Sequence, residues 1–364
     1  MKATVTPAFR LTSSSIWSTF LNSGKRHIFL TGSRGIGKTT LLSQLFPHQM
    51  AGIVSYAVPR EAVFMKDALS GVTVQIGRFD SALGTCENKM SPCREEIERH
   101  GVAMLNALCI SDSPWVTVDE IGYLECGCET YIQALRRLLE SKQVAAVIRK
   151  QELPFLEELC AREDALLIDL DLPFGNAGCV IMASGMGKRF GGNKLMTDIN
   201  GEPMICRALN ATEGIFSERV VVTRHKDVAE LCEKRGIETV LHDLPLRNHT
   251  VRLGLQALGN VERCTFCTAD QPLLSRDTVT ALALSAKSEG SFIWRTAANG
   301  QVGSPVSFPK DFFPELLSLP DEMGGGYVVK KHPHAVKLLH LSDPRELMDV
   351  DTPEELDRIM EFIK

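Results

Sequence analysis

Residues 32–39 read Gly32-Ser33-Arg34-Gly35-Ile36-Gly37-Lys38-Thr39, which fits G-x-x-x-x-G-K-[S/T] without a mismatch. Glycines at these positions let successive backbone N–H groups curl around phosphate oxygens. The helix that follows adds the positive end of its dipole to the same anion. In such a turn Gly32, Gly35 and Gly37 shape the cradle, Lys38 reaches the β- and γ-phosphates, and the hydroxyl of Thr39, followed by Thr40, joins a Mg²⁺ shell. The alternative, a glycine-rich turn with no nucleotide, is the minor one, because the apolar Ile28-Phe29-Leu30 runs straight into it. A second glycine-rich, basic turn lies about 150 residues on: Ala183-Ser184-Gly185-Met186-Gly187-Lys188-Arg189-Phe190-Gly191-Gly192-Asn193-Lys194, after Cys179-Val180-Ile181-Met182. It has no P-loop lysine position. Its glycines would allow close backbone approach to phosphates, with Arg189 and Lys194 as separate cations.

An acidic pair ends another apolar run, Trp115-Val116-Thr117-Val118-Asp119-Glu120. Alone, such a pair is usually a solvated turn. Beside the first glycine turn, Asp119 is expected to hold Mg²⁺ through water and Glu120 to orient or deprotonate an attacking water. Cys86, Cys93, Cys126 and Cys128 fall in two expected loops near the same end of the sheet. Four thiolates could bind Zn²⁺ or an iron–sulfur cluster, but their spacing departs from paired C-x₂-C, and ordinary free thiols are the default. The nine histidines show no metal-ligand spacing, and no Ser/His/Asp constellation can be drawn.

Two strand–turn–helix openings require two sheets to carry them. In the first half, Gly52–Val54, Trp115–Val118, Val144–Ile148 and Leu166–Ile168 read as strands, alternating with helices at Lys38–Leu45, Glu95–Leu108 and Tyr131–Glu140. In the second half, strands near Val220–Thr223 and Cys264–Thr268 alternate with helices near Met204–Ala211, Val228–Arg235, Thr250–Leu258 and Asp277–Lys287. Both halves are expected to be doubly wound α/β domains with parallel sheets and ligands at the strands' carboxyl ends. The breaker-rich Asp171-Leu172-Pro173-Phe174-Gly175-Asn176 places the boundary near 175, giving domains 1–175 and 176–364.

The chain has 364 residues, 40 Lys plus Arg and 45 Asp plus Glu, a net charge of −5 that argues against bulk-charge binding to nucleic acid or an anionic membrane. Aromatic residues are only 6%, which disfavours a base-stacking platform. No apolar run approaches the ~18 residues of a membrane helix, and Met1–Phe20 lacks the apolar stretch of a secretory signal. The 11 scattered cysteines suit a reducing compartment, so a cytoplasmic location is expected.

The string Asp119-Glu120-Ile121-Gly122-Tyr123-Leu124-Glu125, the first glycine turn and Pro59-Arg60-Glu61 resemble the small nucleoside-triphosphatase family first known from thermophiles, over about residues 26–170. That resemblance implies hydrolysis of ATP or GTP, with Arg60 as a phosphate-side or switch residue.

The second turn, with Ile199-Asn200-Gly201-Glu202-Pro203-Met204, Thr268-Ala269-Asp270-Gln271-Pro272-Leu273, Gly303-Ser304-Pro305-Val306 and Asp349-Val350-Asp351-Thr352-Pro353-Glu354-Glu355-Leu356, resembles the nucleotidyltransferases with a Rossmann-like mixed sheet. Within them it is most similar to the molybdenum-cofactor cytidylyltransferases, over about 178–363. The resemblance implies that a phosphate on a pterin acceptor attacks the α-phosphorus of an NTP in line and that pyrophosphate leaves, with positioning and charge neutralisation as the catalysis. It makes Asp270 a Mg²⁺ ligand, completed by Asp351 or Asp349 from a C-terminal strand; Asp351 could also cap the last helix. Arg189 and Lys194 would neutralise the triphosphate, and Ala183, Ser184, Gly185 and Gly187 would line the nucleotide. Guanylyl-transferring relatives tend to carry Ala-Gly-Gly at this loop and cytidylyl-transferring ones Ala-Ala-Gly. Ala183-Ser184-Gly185 therefore points to CTP, although the serine hydroxyl could also meet a purine edge. Where relatives carry a Gln-Gly pair before the central helix, this chain has Leu246-Arg247-Asn248-His249-Thr250. Gly324-Gly325-Gly326 is expected to be either a lid over the acceptor or a plain turn. The implied partner is a molybdenum hydroxylase or its maturation proteins; the alternatives are a nucleotidyltransferase with another NTP or acceptor and, from a different class, an NTP-gated carrier that delivers finished cofactor.

Overall fold

The computed structural model describes residues 11–83 and 90–363. The chain divides into two compact units, one built on Ser23–Pro173 and the other on Phe174–Lys364 together with Ser14–Asn22.

The first unit holds β1 (His27–Thr31), β2 (Gly52–Val58), β3 (Ala62–Asp67), β4 (Thr73–Phe79), β5 (Met90–Pro92), β6 (Trp115–Ile121), β7 (Gln143–Ile148) and β8 (Ala165–Asp169). They form one sheet in the order β5-β4-β3-β2-β6-β7-β1-β8. The five strands β2, β6, β7, β1 and β8 run parallel, while β3, β4 and β5 are antiparallel additions. The sheet is therefore mixed, where a purely parallel one was expected. Apolar runs such as Val144–Ile148 are buried on both faces, which is why they stand out in sequence. The β3–β5 extension carries exposed Lys66 and Arg78 and half-buried Gln75, and its strands are buried on one face only in part.

The second unit contributes β9 (Ala177–Ala183), β10 (Asp198–Ile199), β11 (Glu202–Pro203), β12 (Glu218–Thr223), β13 (Glu238–Leu241), β14 (Arg263–Thr268), β15 (Ile293–Ala298), β16 (Gln301–Pro309) and β17 (Val336–His340). Its main sheet runs β13-β12-β9-β14-β16-β15-β17, and β10 and β11 make a separate two-stranded ribbon. β16 is antiparallel to both neighbours, so this sheet is mixed too. Val180, Val220, Val222, Phe266 and Phe308 pack with Val251 and Leu255 of the helix Arg247–Ala257 to form the core that fixes the carboxyl ends of β9 and β14.

The division at 175 needs one correction. The N-terminal helix Ser13–Ser23 buries Ser15, Ile16, Thr19 and Phe20, and its contacts lie in the second unit. Asn22 exchanges hydrogen bonds with the backbone of His340 at the end of β17 (2.7 and 3.3 Å), and the Thr19 hydroxyl lies 3.3 Å from the Ala281 carbonyl. An amphipathic stripe states that a helix is buried, not which surface buries it. Among the described residues no helix is long and apolar enough to cross a membrane.

Ile16 is fully buried, so Ile16→Ala should destabilise the second unit by about 2–5 kcal/mol. Limited proteolysis of the variant should release fragments from residues 174–364 faster while cleavage within 23–173 stays at the wild-type rate. Equal acceleration in both units would contradict this placement of the helix.

Candidate functional site

In the first unit, β1 ends at Thr31 and six residues, 32–37, separate it from the helix Lys38–Leu45. Gly37 is the turning point between them: its φ of +103° lies in the left-handed region that L side chains rarely adopt. Lys38, only 8% exposed, folds back so that Nζ donates to the carbonyls of Gly32 (2.8 Å) and Ser33 (2.9 Å). The Thr39 hydroxyl donates to Asp119 Oδ1 at 3.1 Å, which joins the glycine turn to the end of β6. Burial pushes the Asp119 carboxyl up to about 6, against the Thr39 hydrogen bond that lowers it. Gly32, Gly35, Gly37, Lys38, Thr39 and Asp119 thus lie in one constellation. Thr40 is exposed on the following helix turn. The oxygens of Thr39 and Asp119 suit a hard divalent cation.

Glu120 is drawn to one side, its carboxylate 3.3 Å from Arg149 Nε, and Arg149 in turn lies over the Tyr123 ring. Glu125, the last residue of the acidic string, is buried. It accepts the Gly122 N–H at 3.0 Å, and burial pushes its carboxyl up to about 7. Its role is to cap a short helix. Arg60 sits exposed at the β2–β3 turn with φ +59°. Asp171 has no counterpart in the sequence reading. Its carboxylate accepts the Ser33 N–H (3.0 and 3.1 Å) and pairs with Lys150 at 2.8 Å, so the segment after β8 braces the glycine turn. Cys86 lies outside the described residues. Cys93, Cys126 and Cys128 are free thiols, burial pushes Cys126 up to about 12, and no group of three or more His, Cys, Asp or Glu among the described residues is placed to hold a metal ion.

In the second unit, Gly187 fixes the loop after β9. It has φ +58°, and a Cβ there would stand 2.0 Å from the Gly192 carbonyl oxygen. The loop delivers Lys194, 6% exposed, whose Nζ donates to Asp270 Oδ2 (2.7 Å), Asp351 Oδ1 (2.8 Å) and the Val350 carbonyl (2.6 Å). Burial draws the Lys194 pKa down, but Asp270 and Asp351 offset this and the net shift is upward. Arg189, largely exposed, pairs with the other oxygen of Asp351. Asp349 and Asp351 were expected on a C-terminal strand. They lie instead in the irregular segment between the turn Pro344–Leu347 and the helix Pro353–Ile363. The cap of that helix is formed by Thr352, which accepts the Glu355 N–H, while Glu355 accepts from Asp351 and Thr352; this leaves the Asp351 carboxylate for Lys194 and Arg189.

Beside this cluster opens a cavity of about 810 Å³, lined among others by Ser184, Gly185, Asp270, Gln271 and Asp349. Burial and the neighbouring Asp270 and Asp351 push the Asp349 carboxyl up to about 6. Gln271 is 2% exposed and its Oε1 is buried without a hydrogen-bond partner. Two carboxylates and an orphaned amide oxygen make an all-oxygen donor set that fits a hard cation completed by substrate phosphates. The Ser184 hydroxyl donates to the Val222 carbonyl (3.0 Å) and lies 2.9 Å from His242 Nε2. Burial, then Arg224, lowers the His242 pKa, so its neutral ring donates from Nε2 to Ser184. Gly324, Gly325 and Gly326 line the same cavity and lead into the short helix Gly326–Lys331.

Residues 27–173 match the family described as NTPase, and residues 179–336 match the MobA-like NTP transferase domain. Nucleoside-triphosphatase THEP1 of Thermofilum pendens is 30% identical over 139 residues, covering 35% of this chain and 75% of that protein. The chain is an NTPase joined to a MobA-like NTP transferase. On the transferase side, the purine catabolism protein PucB of Bacillus subtilis is 27% identical over 198 residues, covering 50% of this chain and 94% of that protein. The probable molybdenum cofactor guanylyltransferase of Thermococcus gammatolerans is 38% identical over 65 residues, covering 18% of this chain and 34% of that protein.

The transferase residues that sequence reasoning passed over are Gln271, His242 and Arg295, all on the cavity wall. Only Gln271 had a local signal, its place next to Asp270.

The raised Asp119 carboxyl has a consequence for stability. Its folded-state value of about 6 against an ordinary 3.8 means that its contribution is present below about pH 4 and is lost as pH rises through 6. Asp119→Asn should therefore raise the metal-free melting temperature of the NTPase unit at pH 7.5, by roughly 1–3 kcal/mol in stability, with the gain vanishing at pH 4. A gain of equal size at both pH values would contradict burial of the charge as its cause.

Proposed function

We propose that the transferase unit joins a nucleoside monophosphate from CTP to the phosphate of molybdopterin or molybdenum cofactor and releases pyrophosphate, while the NTPase unit hydrolyses ATP or GTP at a separate site. The observation that carries this reading is the Lys194–Asp270–Asp351 cluster, built on the end of the glycine loop after β9, beside a cavity of about 810 Å³ that Ser184 and Gly185 at the start of that loop also line. Asp270, with Asp351 or Asp349, would hold Mg²⁺, which when bound neutralises phosphate charge and polarises the P–O bonds. Lys194 and Arg189 supply cationic charge along the triphosphate, and the loop from Ala183 to Gly187 offers backbone N–H groups at close approach. An acceptor phosphate held in the same cavity would attack the α-phosphorus in line. In the NTPase unit, Lys38 and the glycine turn hold phosphates, Thr39 and Asp119 would hold Mg²⁺, and Glu120, once released from Arg149, would orient water.

The guanylyl-transferring relative supports molybdenum cofactor as the acceptor class, and the engaged Ser184 hydroxyl supports CTP. With its hydrogen given to Val222 and one lone pair facing His242, that hydroxyl has no donor left for the O6 and N7 acceptors of a purine, and the side chain takes space that a two-ring base would need. On this reading the chain works in the cytoplasm and its product goes to a molybdenum hydroxylase.

Two variants separate the sites. Lys38→Ala should abolish orthophosphate release from NTP and leave pyrophosphate release intact, whereas Asp270→Asn should do the reverse, with transfer reduced by about 10²-fold or more. If either substitution removed both products from a folded protein, the two-site reading would fail.

The ratio of kcat/KM for transfer from CTP over GTP should exceed one in a competition assay. Ser184→Gly should lower it, because the side chain that crowds a two-ring base is removed. A wild-type ratio at or below one would sink the CTP assignment.

A further inference from the structure

Six Lys and Arg side chains of the second unit form ion pairs among the described residues: Arg189 and Lys194 with Asp351 and Asp270, Arg235 with Glu202, Lys331 with Glu315, Lys337 with Glu289 and Arg345 with Asp343. Arg263 has no carboxylate, but its buried guanidinium donates to the carbonyls of Gly290, Phe292 and Ser307 and so is satisfied within the fold. Arg295 is different. It is half-buried on β15 and lines the transferase cavity, and its one hydrogen bond among the described residues runs from Nε to the Gly303 carbonyl at 3.1 Å. Neither Nη has a partner there, and no carboxylate of the cavity, neither Asp270, Asp349 nor Glu322, forms an ion pair with it. Burial alone lowers its pKa. A desolvated guanidinium with unused donors is unfavourable unless something else completes it.

Its place in the sheet says which ligand it faces. The strand order β14-β16-β15 sets Arg295 two strands away from the Asp270 end of β14, about 10 Å across the sheet. The Nε–Gly303 bond fixes the plane of the guanidinium against β16, leaving its fork to receive two oxygens side by side. The glycine loop after β9 and Ser184 stand on the other flank of β14, beyond β9, toward β12.

We propose that Arg295 is a receptor for an oxyanion of the acceptor, phosphate or carboxylate in class, and so decides which acceptors the transferase takes. This rests on the transferase reading for the word acceptor, but the anion site itself does not.

The test is modification of the full-length protein with phenylglyoxal, mapped by mass spectrometry, with inorganic phosphate or with CTP and Mg²⁺. Phosphate should slow modification of Arg295 at least severalfold while exposed Arg189 reacts as before, and CTP with Mg²⁺ should protect it less than phosphate does. No protection by phosphate, or protection by CTP alone, would overturn the proposal. Arg295→Gln removes no ion pair and should leave the fold intact. With molybdenum cofactor as acceptor, it should raise the acceptor KM roughly tenfold or more and leave the CTP KM unchanged, with Arg295→Lys recovering part of the loss. A rise in the CTP KM instead, or no change in either, would contradict it. If the wild type makes no pyrophosphate with molybdenum cofactor yet phosphate still protects Arg295, the acceptor assignment fails and the anion site stands.

Discussion

The ammonium group of Lys194 is the interaction on which the transferase site depends. Three carboxylates, Asp270, Asp349 and Asp351, are brought together from the end of β14 and from the segment before the last helix. Left alone they would repel one another, and Asp349 is pushed up to about 6, first by burial and then by the neighbouring Asp270 and Asp351. Lys194 holds two of them and the intervening Val350 carbonyl at 2.6–2.8 Å, so one buried cation ties the glycine loop to the chain's C-terminal segment. A lysine as buried as this must be matched by charge and hydrogen bonds on every side, and here it is.

The NTPase unit solves a related problem with different parts. Its lysine bonds loop carbonyls rather than acids, and its carboxylate, Asp119, is reached through the Thr39 hydroxyl. Asp171 braces the loop from outside by taking the Ser33 N–H. Both units place their cations at the carboxyl ends of parallel strands, where helix N-termini converge. They differ in their surroundings: Asp119 is held by the Thr39 hydroxyl, whereas the Lys194 cluster borders a cavity of about 810 Å³.

What could be read from sequence was what is contiguous. The strand–turn–helix openings at Gly32–Thr39 and Ala183–Lys194 carry their chemistry within a dozen residues, and strands such as Val144–Ile148 announce themselves by being buried on both faces. The helix Lys38–Leu45 was expected at those bounds and is found there. What was missed is assembled from distant segments or half-exposed. Asp171 meets Ser33 across 138 residues, and Arg295 gains its meaning only when β15 lies beside β16. The strands β3 to β5 and β15 to β17 lie toward the sheet margins, where mixed polarity hides the period. The N-terminal helix Ser13–Ser23 shows the same limit: no helix is read there from the sequence, and its partners Ala281 and His340 lie far along the chain.

The central claim is that one chain cuts nucleoside triphosphates at two different bonds in two separate sites. Phosphorus-31 NMR of a single sample containing the full-length protein, Mg²⁺, CTP, ATP and molybdenum cofactor tests it directly, because each product has its own resonance. The account predicts that pyrophosphate and a new diphosphate diester grow together, one for one, and only when the cofactor is present, while orthophosphate grows independently of it. Orthophosphate and nucleoside diphosphate as the sole products, with the cofactor phosphate unaltered, would contradict it.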